Sequence, residues 1–368
     1  MKTYTLFTLL LFLLVPFRSM GLPPELSGRD LATPPPRVIR TCCSFGSDVR
    51  VMGLPFIKVT DITCINNLGK HCYLGSADEG NGIIYARRGG FIDLGHLRDQ
   101  ADWTAYLFAL IKQNQKNGTI VYPLGHEGGE KTLTLKIPVD MQDTCAMLLA
   151  GRIAYDLSVW HEIATWYGAS YIPLVPERYS SFSVEDAYSN LLGIYAGIEA
   201  LKSPLPYEEA MTELINQKLS DLLAVSTYEE TRMAMEEVHN IWWTREKNLP
   251  SGRVIIERQT NVYSPVEPHL VPGQALKNYQ PYILEVPEYA SAGVLLSDFY
   301  ELSFKLNLKF PVKKIFTDDT GRLITQHHFD TLIKHAEAEW AFKEQKARTS
   351  HDENQHNTWK EKRARARN

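Results

Sequence analysis

The sequence predicts an α+β fold, with mixed strands in the N-terminal part, a helix-rich middle, further short strands and a C-terminal helix. Between residues 38 and 94, short apolar runs are punctuated by glycine, which is typical of strands and turns. From about residue 99 to residue 243, apolar residues recur at helical spacing instead. This change in pattern along the chain is the basis of the predicted fold class.

The individual elements follow from the same two periodicities. Short strands are predicted in the first part, and a hairpin is predicted across residues 119–139, where Gly128 and Gly129 can form the turn. Helices are predicted over residues 99–115, 142–167, 183–202, 207–225 and 227–243. The last part should contain strands at residues 254–256 and 282–286 and a helix at residues 326–345.

The two ends of the chain differ from its folded part. Residues 1–21 resemble a signal peptide, because a basic start is followed by a short apolar block and by small residues suited to cleavage. The alternative is an uncleaved membrane anchor, which Pro16 and Arg18 disfavour because they shorten the apolar run. Residues 22–36 are predicted to be a proline-rich linker, residues 37–345 a single large α+β domain, and residues 346–368 a disordered charged tail.

Composition and the signal peptide limit the partners and the compartment. A net charge of -4 argues against nucleic acid as the main partner, because nucleic-acid binding calls for a basic face. No apolar stretch after the signal peptide approaches the roughly 20 residues that a membrane helix requires. We therefore expect a periplasmic or secreted protein without a transmembrane segment beyond the signal peptide, whose partner is a cell-envelope component or a small molecule.

The five cysteines fit an oxidising compartment only in part. Their odd number leaves at least one thiol unpaired within the chain. Cys64 and Cys72 are close enough in sequence to close a short loop, and we predict a disulfide between them. Without paired CxxC motifs, a structural zinc site made of cysteines is disfavoured.

The first candidate site follows a predicted strand at residues 91–94. His96 lies at the strand-to-helix junction, where functional side chains are commonly displayed, and Asp99 is on the same helix face. These two residues are candidate catalytic groups, and Arg98 and Asp102 are candidate substrate-binding groups. The alternative is that Asp99 and Asp102 only favour the positive end of the helix dipole.

The second candidate site is the pair His161 and Glu162, a polar interruption in a largely apolar helix. Burying this pair without partners is costly, so the two groups either satisfy each other or line a site. The metalloprotease helix motif requires a second histidine four residues later, where this chain has Thr165. A divalent metal such as zinc, bound by His96, His161 and Glu162, would be chemically sensible because zinc accepts mixed nitrogen and oxygen ligands.

Two further segments carry candidate residues. Glu177 and Arg178 lie in a loop between predicted helices and either contact substrate or form a solvated ion pair. Cys43, in the vicinal pair with Cys42, is a candidate nucleophile that His96 or His161 could deprotonate. The alternative is that this vicinal pair is structural, with one or both thiols in disulfides.

Several of these segments together resemble a known family. The segments 36–43, 80–82, 90–103, 160–162 and 180–190 are similar to an exported gammaproteobacterial family that is catalogued only as a domain of unknown function. The resemblance covers most of the chain up to about residue 340 and implies the bacterial envelope. It assigns no activity and no catalytic residue, and the chain lacks the lipidation cysteine of the members that look like lipoproteins.

Two functions from different classes are compatible with these observations. The first is a cell-envelope hydrolase or acyl-transfer enzyme whose site gathers His96, Asp99, His161 and Glu162, with or without a divalent metal. The second is a non-catalytic periplasmic binding or scaffolding protein in which the same polar groups form a buried network that fixes the core. The enzyme hypothesis requires that the two imidazoles, distant in sequence, share one cleft with acidic neighbours.

Overall fold

The computed structural model describes most of the chain between residues 24 and 346. The described residues are 24–40, 44–52, 54–58, 60–170, 177–249, 251–263, 265–275, 279–290, 293–316 and 321–346. The predicted signal peptide, Cys42, Cys43 and the predicted tail after residue 346 lie outside these ranges.

Helices make up most of the middle of the chain, as predicted. They are α1 (Gly28–Leu31), α2 (Leu94–Asn114), α3 (Asp143–Trp166), α4 (Asp186–Lys202), α5 (Tyr207–Asp221), α6 (Tyr228–Glu237), α7 (Pro272–Ala275), α8 (Val312–Ile315) and α9 (329–346). The long helix α2 packs against both α3 and α4, which also contact each other. No helix in the described ranges is long and apolar enough to cross a membrane.

The strands form antiparallel sheets, which confirms the α+β class. They are β1 (Arg50–Val51), β2 (Leu54–Lys58), β3 (Ile83–Ala86), β4 (Gly90–Asp93), β5 (Thr119–His126), β6 (Gly129–Lys136), β7 (Tyr300–Leu306) and β8 (Leu323–Thr325). Strands β1 and β2 form one pair and β3 and β4 another, while β5 to β8 form a four-stranded sheet in chain order.

The start of α2 is fixed by the residue that caps it. The Asp93 side chain, at the end of β4, accepts hydrogen bonds from the backbone N–H groups of Gly95 at 2.7 Å and His96 at 3.2 Å. An aspartate at this position satisfies N–H groups that have no partner within the helix. The predicted strand-to-helix junction is therefore present, and His96 lies in the first turn of α2.

Helices α2 and α4 approach each other unusually closely at two glycines of α4. A Cβ atom at Gly193 would lie 2.0 Å from the carbonyl oxygen of Leu97, and one at Gly197 would lie 3.0 Å from the Cα atom of Ala101. Since real Cβ atoms do not approach other atoms to 2.0 Å, only glycine fits at position 193 without moving one of the helices.

The four-stranded sheet packs on α3 through aromatic residues. Alternate side chains of β6 and β7 are buried, among them Leu133 and Phe304. The buried ring of Trp160 stacks on Phe304 with 4.1 Å between ring centroids. Its indole N–H donates to the backbone carbonyl of Glu127 at 2.9 Å. The predicted β5–β6 hairpin is thus held with its turn against α3.

Three sequence-based expectations differ from the structure in this part. The predicted 254–256 and 282–286 strands contribute only isolated bridges, Trp243 with Ile255 and Val266 with Leu284, while β7 was not predicted. Part of the predicted linker forms α1, and its residue Leu31 is buried and accepts a hydrogen bond from the Tyr106 hydroxyl at 2.9 Å.

The predicted disulfide between Cys64 and Cys72 is wrong. Both residues are free cysteines, as is Cys145. The Cys72 thiol donates instead to the Glu208 carboxylate at 3.3 Å. Burial, with the neighbouring carboxylate of Glu208, raises the pKa of this thiol. Proximity in sequence was therefore a poor guide, because this thiol is directed toward α5.

Candidate functional site

A small cavity lies where α2, α3 and α4 meet the N-terminal segment and the β5–β6 hairpin. Its volume is about 40 Å³, which leaves room for only a few water molecules or one small chemical group. The lining residues are Arg37, Val38, Arg40, His96, Asp99, Gln100, Trp103, Glu127, Lys131, Leu157, Ser158, His161 and Asn190. Both predicted histidines therefore share one cavity.

Helical spacing explains why these residues converge. On α2, His96 lines the cavity, and the other lining residues follow it by three, four and seven positions: Asp99, Gln100 and Trp103. This spacing places them on one face of the helix. On α3, Ser158 and His161 are three residues apart and lie on the face that meets α2. Two helix faces thus carry most of the candidate chemistry.

His161 is paired with a buried carboxylate. Its Nδ1 atom lies 2.7 Å from Oε1 of Glu127, whose side chain is only 1% exposed, while the His161 side chain is 19% exposed. A carboxylate in this position fixes the orientation of the ring and favours the tautomer that carries the proton on Nδ1. The other ring nitrogen, Nε2, is then free to accept a proton.

Glu127 stays ionised because cations surround it. Lys131 Nζ lies 2.8 Å from one carboxylate oxygen, and Arg37 Nη1 lies 3.1 Å from the other. Burial alone would raise the pKa of Glu127, but Lys131, His161 and Arg37 outweigh burial and hold this pKa far below its usual range. Arg37 also donates to Glu177 at 2.8 Å, so it bridges the hairpin turn and the loop that contains Glu177.

His96 lies in an acidic environment. Its Nδ1 atom is 3.2 Å from Oδ1 of Asn190, and its Nε2 atom is 3.5 Å from Oδ1 of Asp186. Burial of the ring favours its neutral form, but nearby carboxylates outweigh burial and raise the pKa of His96 to about 10. In order of decreasing effect on this pKa, the carboxylates are those of Asp186, Asp93, Glu162 and Asp99. His96 is therefore a cation at neutral pH, with a side chain that is 12% exposed.

The raised pKa of His96 predicts how stability depends on pH. Because the folded pKa of about 10 exceeds the ordinary 6.5, the charged ring stabilises the fold fully below pH 6.5, and this contribution is lost as the pH rises to 10. We expect the free energy of unfolding to fall across this window by a few kcal/mol more in the wild type than in His96→Gln, since one pKa unit corresponds to about 1.4 kcal/mol. Urea unfolding at a series of pH values measures the difference.

A neighbouring acid must be separated from this effect. Burial raises the pKa of Glu185 to about 8, so its own contribution is lost between its ordinary pKa of 4.5 and pH 8. Measuring both proteins in a Glu185→Gln background removes that titration. An NMR titration that shows a neutral His96 ring at pH 7 would contradict the assignment.

The N-terminal segment is anchored to α2 by a buried ion network around Arg40. This guanidinium contacts Glu79 at 2.5 and 2.7 Å, Asp99 at 3.0 Å and Asp102 at 2.9 Å. Asp99 also accepts from the backbone N–H of Ile39 at 2.9 Å. Asp99 therefore holds the backbone that carries Arg37 and Arg40, in addition to lining the cavity.

Comparison with known proteins identifies the family. The family model described as "Protein of unknown function (DUF4056)" matches residues 31–272, most of the described chain. The chain belongs to this family. The matched region contains α2, α3 and α4 and every residue that lines the cavity. No curated protein and no solved structure matches the chain.

In this family member, three of the predicted catalytic residues meet at the cavity and Glu162 does not. His96, Asp99 and His161 line it. Glu162 does not, because its carboxylate accepts the backbone N–H of Phe182 at 2.6 Å. Cys43 lies outside the described residues.

The metal set predicted from His96, His161 and Glu162 is not formed. Glu162 follows His161 directly on α3, so the two side chains leave the helix in different directions. Across the described ranges, no group of three or more His, Cys, Asp or Glu side chains is arranged to hold a metal ion. The charges that surround the two histidines are engaged with each other and with backbone groups instead.

The predicted substrate-binding residues are in three different environments. Arg98 and Asp102 are fully buried: Arg98 donates to the Leu68 carbonyl at 2.6 Å, and Asp102 accepts from Arg40. Glu177 is near the cavity through its bond to Arg37. Arg178 lies apart from the cavity, with its guanidinium 4.3 Å from the ring centroid of Trp166.

Sequence reasoning missed Glu127, Lys131, Arg37 and Asn190 as site residues. Glu127 is beside a predicted glycine turn, where an acidic side chain is ordinarily solvated. Its burial results from the contact between the turn and Trp160, which is distant in sequence. The sequence does contain one indication of the role of Glu127. It lies four residues before Lys131 across a tight turn, where oppositely charged side chains can form an ion pair.

Proposed function

We propose that this protein is a cell-envelope hydrolase or acyl-transfer enzyme in which His161 is the general base and Glu127 orients it. The observation that carries the proposal is the 2.7 Å bond between Nδ1 of His161 and a buried, ionised carboxylate, with the ring on the wall of a cavity. This arrangement leaves Nε2 free to take a proton and stabilises the imidazolium that forms. The envelope location rests on the signal peptide predicted at residues 1–21.

His96 supports the proposal as a fixed positive charge. An imidazolium that stays protonated at neutral pH is a poor base, but its charge favours the oxyanion that develops when an acyl carbon is attacked. His96 and His161 thus have different roles, set by different surroundings: carboxylates and an amide around the first, one paired carboxylate beside the second.

Three nucleophiles are compatible with His161 as the base. Ser158 precedes His161 by three residues on α3 and lines the cavity, with its Oγ donating to the Tyr155 carbonyl at 2.8 Å. Cys43 remains the second candidate and water the third. In each case the nucleophile bonds to the acyl carbon, its proton passes to Nε2 of His161, and that proton then goes to the leaving group. For Ser158 or Cys43, water or another acceptor releases the acyl group from the enzyme.

A single substitution with a matched control tests the base. Using 4-nitrophenyl acetate as a small acyl probe, we expect His161→Gln to lower turnover by about 10²- to 10⁴-fold, the usual contribution of a positioned base. His126→Gln is the control, because His126 is exposed and directly precedes Glu127. Ser158→Ala and Cys43→Ser then separate the nucleophiles. Turnover that is the same in wild type and His161→Gln, with unchanged melting temperatures, contradicts the proposal.

A non-catalytic binding or scaffolding role is the second candidate. It is favoured by the number of ion pairs among the residues that line the cavity. Glu127, for example, contacts three charged or ionisable side chains: His161, Lys131 and Arg37. In this second candidate, the hydrogen-bonded network stabilises the core and has no catalytic role. In that case His161→Gln should lower the melting temperature, and the wild type should not turn over the acyl probe above the buffer rate.

A further inference from the structure

A second and larger cavity lies beside Trp166, between the end of α3, the 251–258 loop and α9. Its volume is about 550 Å³, within the roughly 300–1,000 Å³ range of ligand sites. We call it the basic-tryptophan groove, and its lining residues are Trp166, Arg178, Ser251, Gly252, Arg253, Arg258, Trp340, Lys343 and Lys346. Neither proposed function uses it.

The lining of the groove is strongly basic. Five of its side chains are arginine or lysine, and none of the described lining residues is acidic. The carboxylate of Glu339 lies beside the groove, where it contacts Arg178 at 2.5 Å and Lys343 at 3.1 Å. Glu257 and Glu337 line an adjacent cavity that shares Arg258. Glu344 is a further carboxylate that acts on Arg258. Glu339 and Glu344 together do not balance the five cations of the lining, so the groove favours an anion.

Arg258 is the clearest sign of an unmet electrostatic demand. Its guanidinium lies 4.5 Å from the ring centroid of Trp340 and donates to the carbonyl groups of Ser181, Tyr179 and Gly252. Within the described part of the chain, its buried Nε atom has no hydrogen-bond partner. Burial and the nearby Arg178 lower the pKa of Arg258 to about 10, because they outweigh the carboxylates of Glu162, Asp186 and Glu344. A cation that is held by an indole face and by carbonyl dipoles gains further stabilisation from an anionic ligand.

The indole and the basic side chains together define a ligand class. Arginine presents a planar fork of donors that matches phosphate and carboxylate oxygens, and a phosphate dianion offsets more of the clustered charge than a carboxylate does. The half-buried ring of Trp340 offers a flat apolar surface beside those donors. We propose that the basic-tryptophan groove binds a phosphorylated organic ligand, with the phosphate among the basic side chains and an apolar part against Trp340.

Calorimetric titration of the purified full-length protein tests this proposal. The probes are phenyl phosphate, inorganic phosphate, benzoate, and vesicles of phosphatidylglycerol or of phosphatidylcholine. We expect phenyl phosphate to bind more tightly than inorganic phosphate or benzoate, because only this probe combines the two features of the ligand. The vesicles distinguish a lipid headgroup from a soluble phosphomonoester as the source of the phosphate.

A control at an exposed lysine outside the groove assigns the binding to the groove. In Arg253→Gln/Lys343→Gln we expect the affinity for phenyl phosphate to fall by at least about tenfold, since a hydrogen bond to a charged group contributes about 1.5–3 kcal/mol. Lys334→Gln removes an exposed lysine of α9 that pairs with Asp330 outside the groove, and it should leave the affinity unchanged. The proposal is overturned if no phosphate-bearing probe binds, or if Lys334→Gln weakens binding as much as the double variant does. Acyl-probe turnover is not involved, so the result is independent of the proposed catalytic role.

Discussion

Replacing Arg40 by methionine should lower the free energy of unfolding by about 3–5 kcal/mol at neutral pH. The reason is that the substitution leaves Glu79 and Asp102, both fully buried, without their shared cation. Arg98, 3.7 Å from Glu79, and His71, 3.0 Å from Asp102, offset only part of this loss. Buried charge that loses its main partner is among the largest single-residue effects known. Urea unfolding followed by tryptophan fluorescence measures the loss.

The pH dependence identifies the cause of that loss. Burial raises the pKa of Glu79, but its bonds with Arg40 and with the Cys72 backbone outweigh burial and lower it to about 2. The stabilisation by this carboxylate is therefore present above its ordinary pKa of 4.5 and is lost as the pH falls to about 2. The difference in the free energy of unfolding between the wild type and Arg40→Met should therefore become smaller as the pH falls from 4.5 to about 2.

A surface arginine is the control for Arg40. Arg29→Met removes an exposed guanidinium and should change stability by less than about 0.5 kcal/mol. If Arg40→Met unfolds with the same midpoint as Arg29→Met, the network around Arg40 does not hold the N-terminal segment in place.

Glu127→Gln should reduce turnover of the acyl probe by about 10²- to 10⁴-fold, close to the effect of removing His161 itself. The amide is similar in size but carries no charge to stabilise the imidazolium, and it no longer favours one tautomer of His161. Nitrogen chemical shifts of the His161 ring, measured beside turnover, should show a change in tautomer.

Glu177→Gln is the matched control for Glu127→Gln. Both carboxylates bond to Arg37, at 3.1 Å for Glu127 and 2.8 Å for Glu177, but only Glu127 contacts His161. The Glu177 side chain is 19% exposed, against 1% for Glu127, so solvent can replace more of what Glu177 loses on substitution. Equal losses of turnover in the two variants would mean that Arg37, and not the orientation of His161, is responsible.

Much of the helical framework could be predicted because its signals are local. The 142–167 prediction matches α3 (Asp143–Trp166), and Gly168 has the positive φ, +90°, expected beyond a helix end. β7 (Tyr300–Leu306) was missed although its sequence alternates between apolar and polar residues. The apolar runs at 254–256 and 282–286 were predicted to be strands instead, but each forms only an isolated bridge and no ladder.

The candidate site was predictable only on its two helix faces. His96 and His161 are distant in sequence, yet each interrupts an apolar pattern, and their convergence follows from the packing of α2 on α3. Glu127 could not be found in this way, since its role depends on a hairpin turn that meets α3 through the indole of Trp160. The prediction that Glu162 belongs to the site was wrong, because Glu162 and His161 are adjacent on a helix and their side chains point in different directions.

The contact at Gly193 limits how far the cavity can contract around a bound molecule. With the backbones of α2 and α4 already touching at Leu97, these helices cannot slide or tilt toward each other to follow a bound molecule. The relative positions of the His96 ring and the Asn190 amide are therefore set before anything binds.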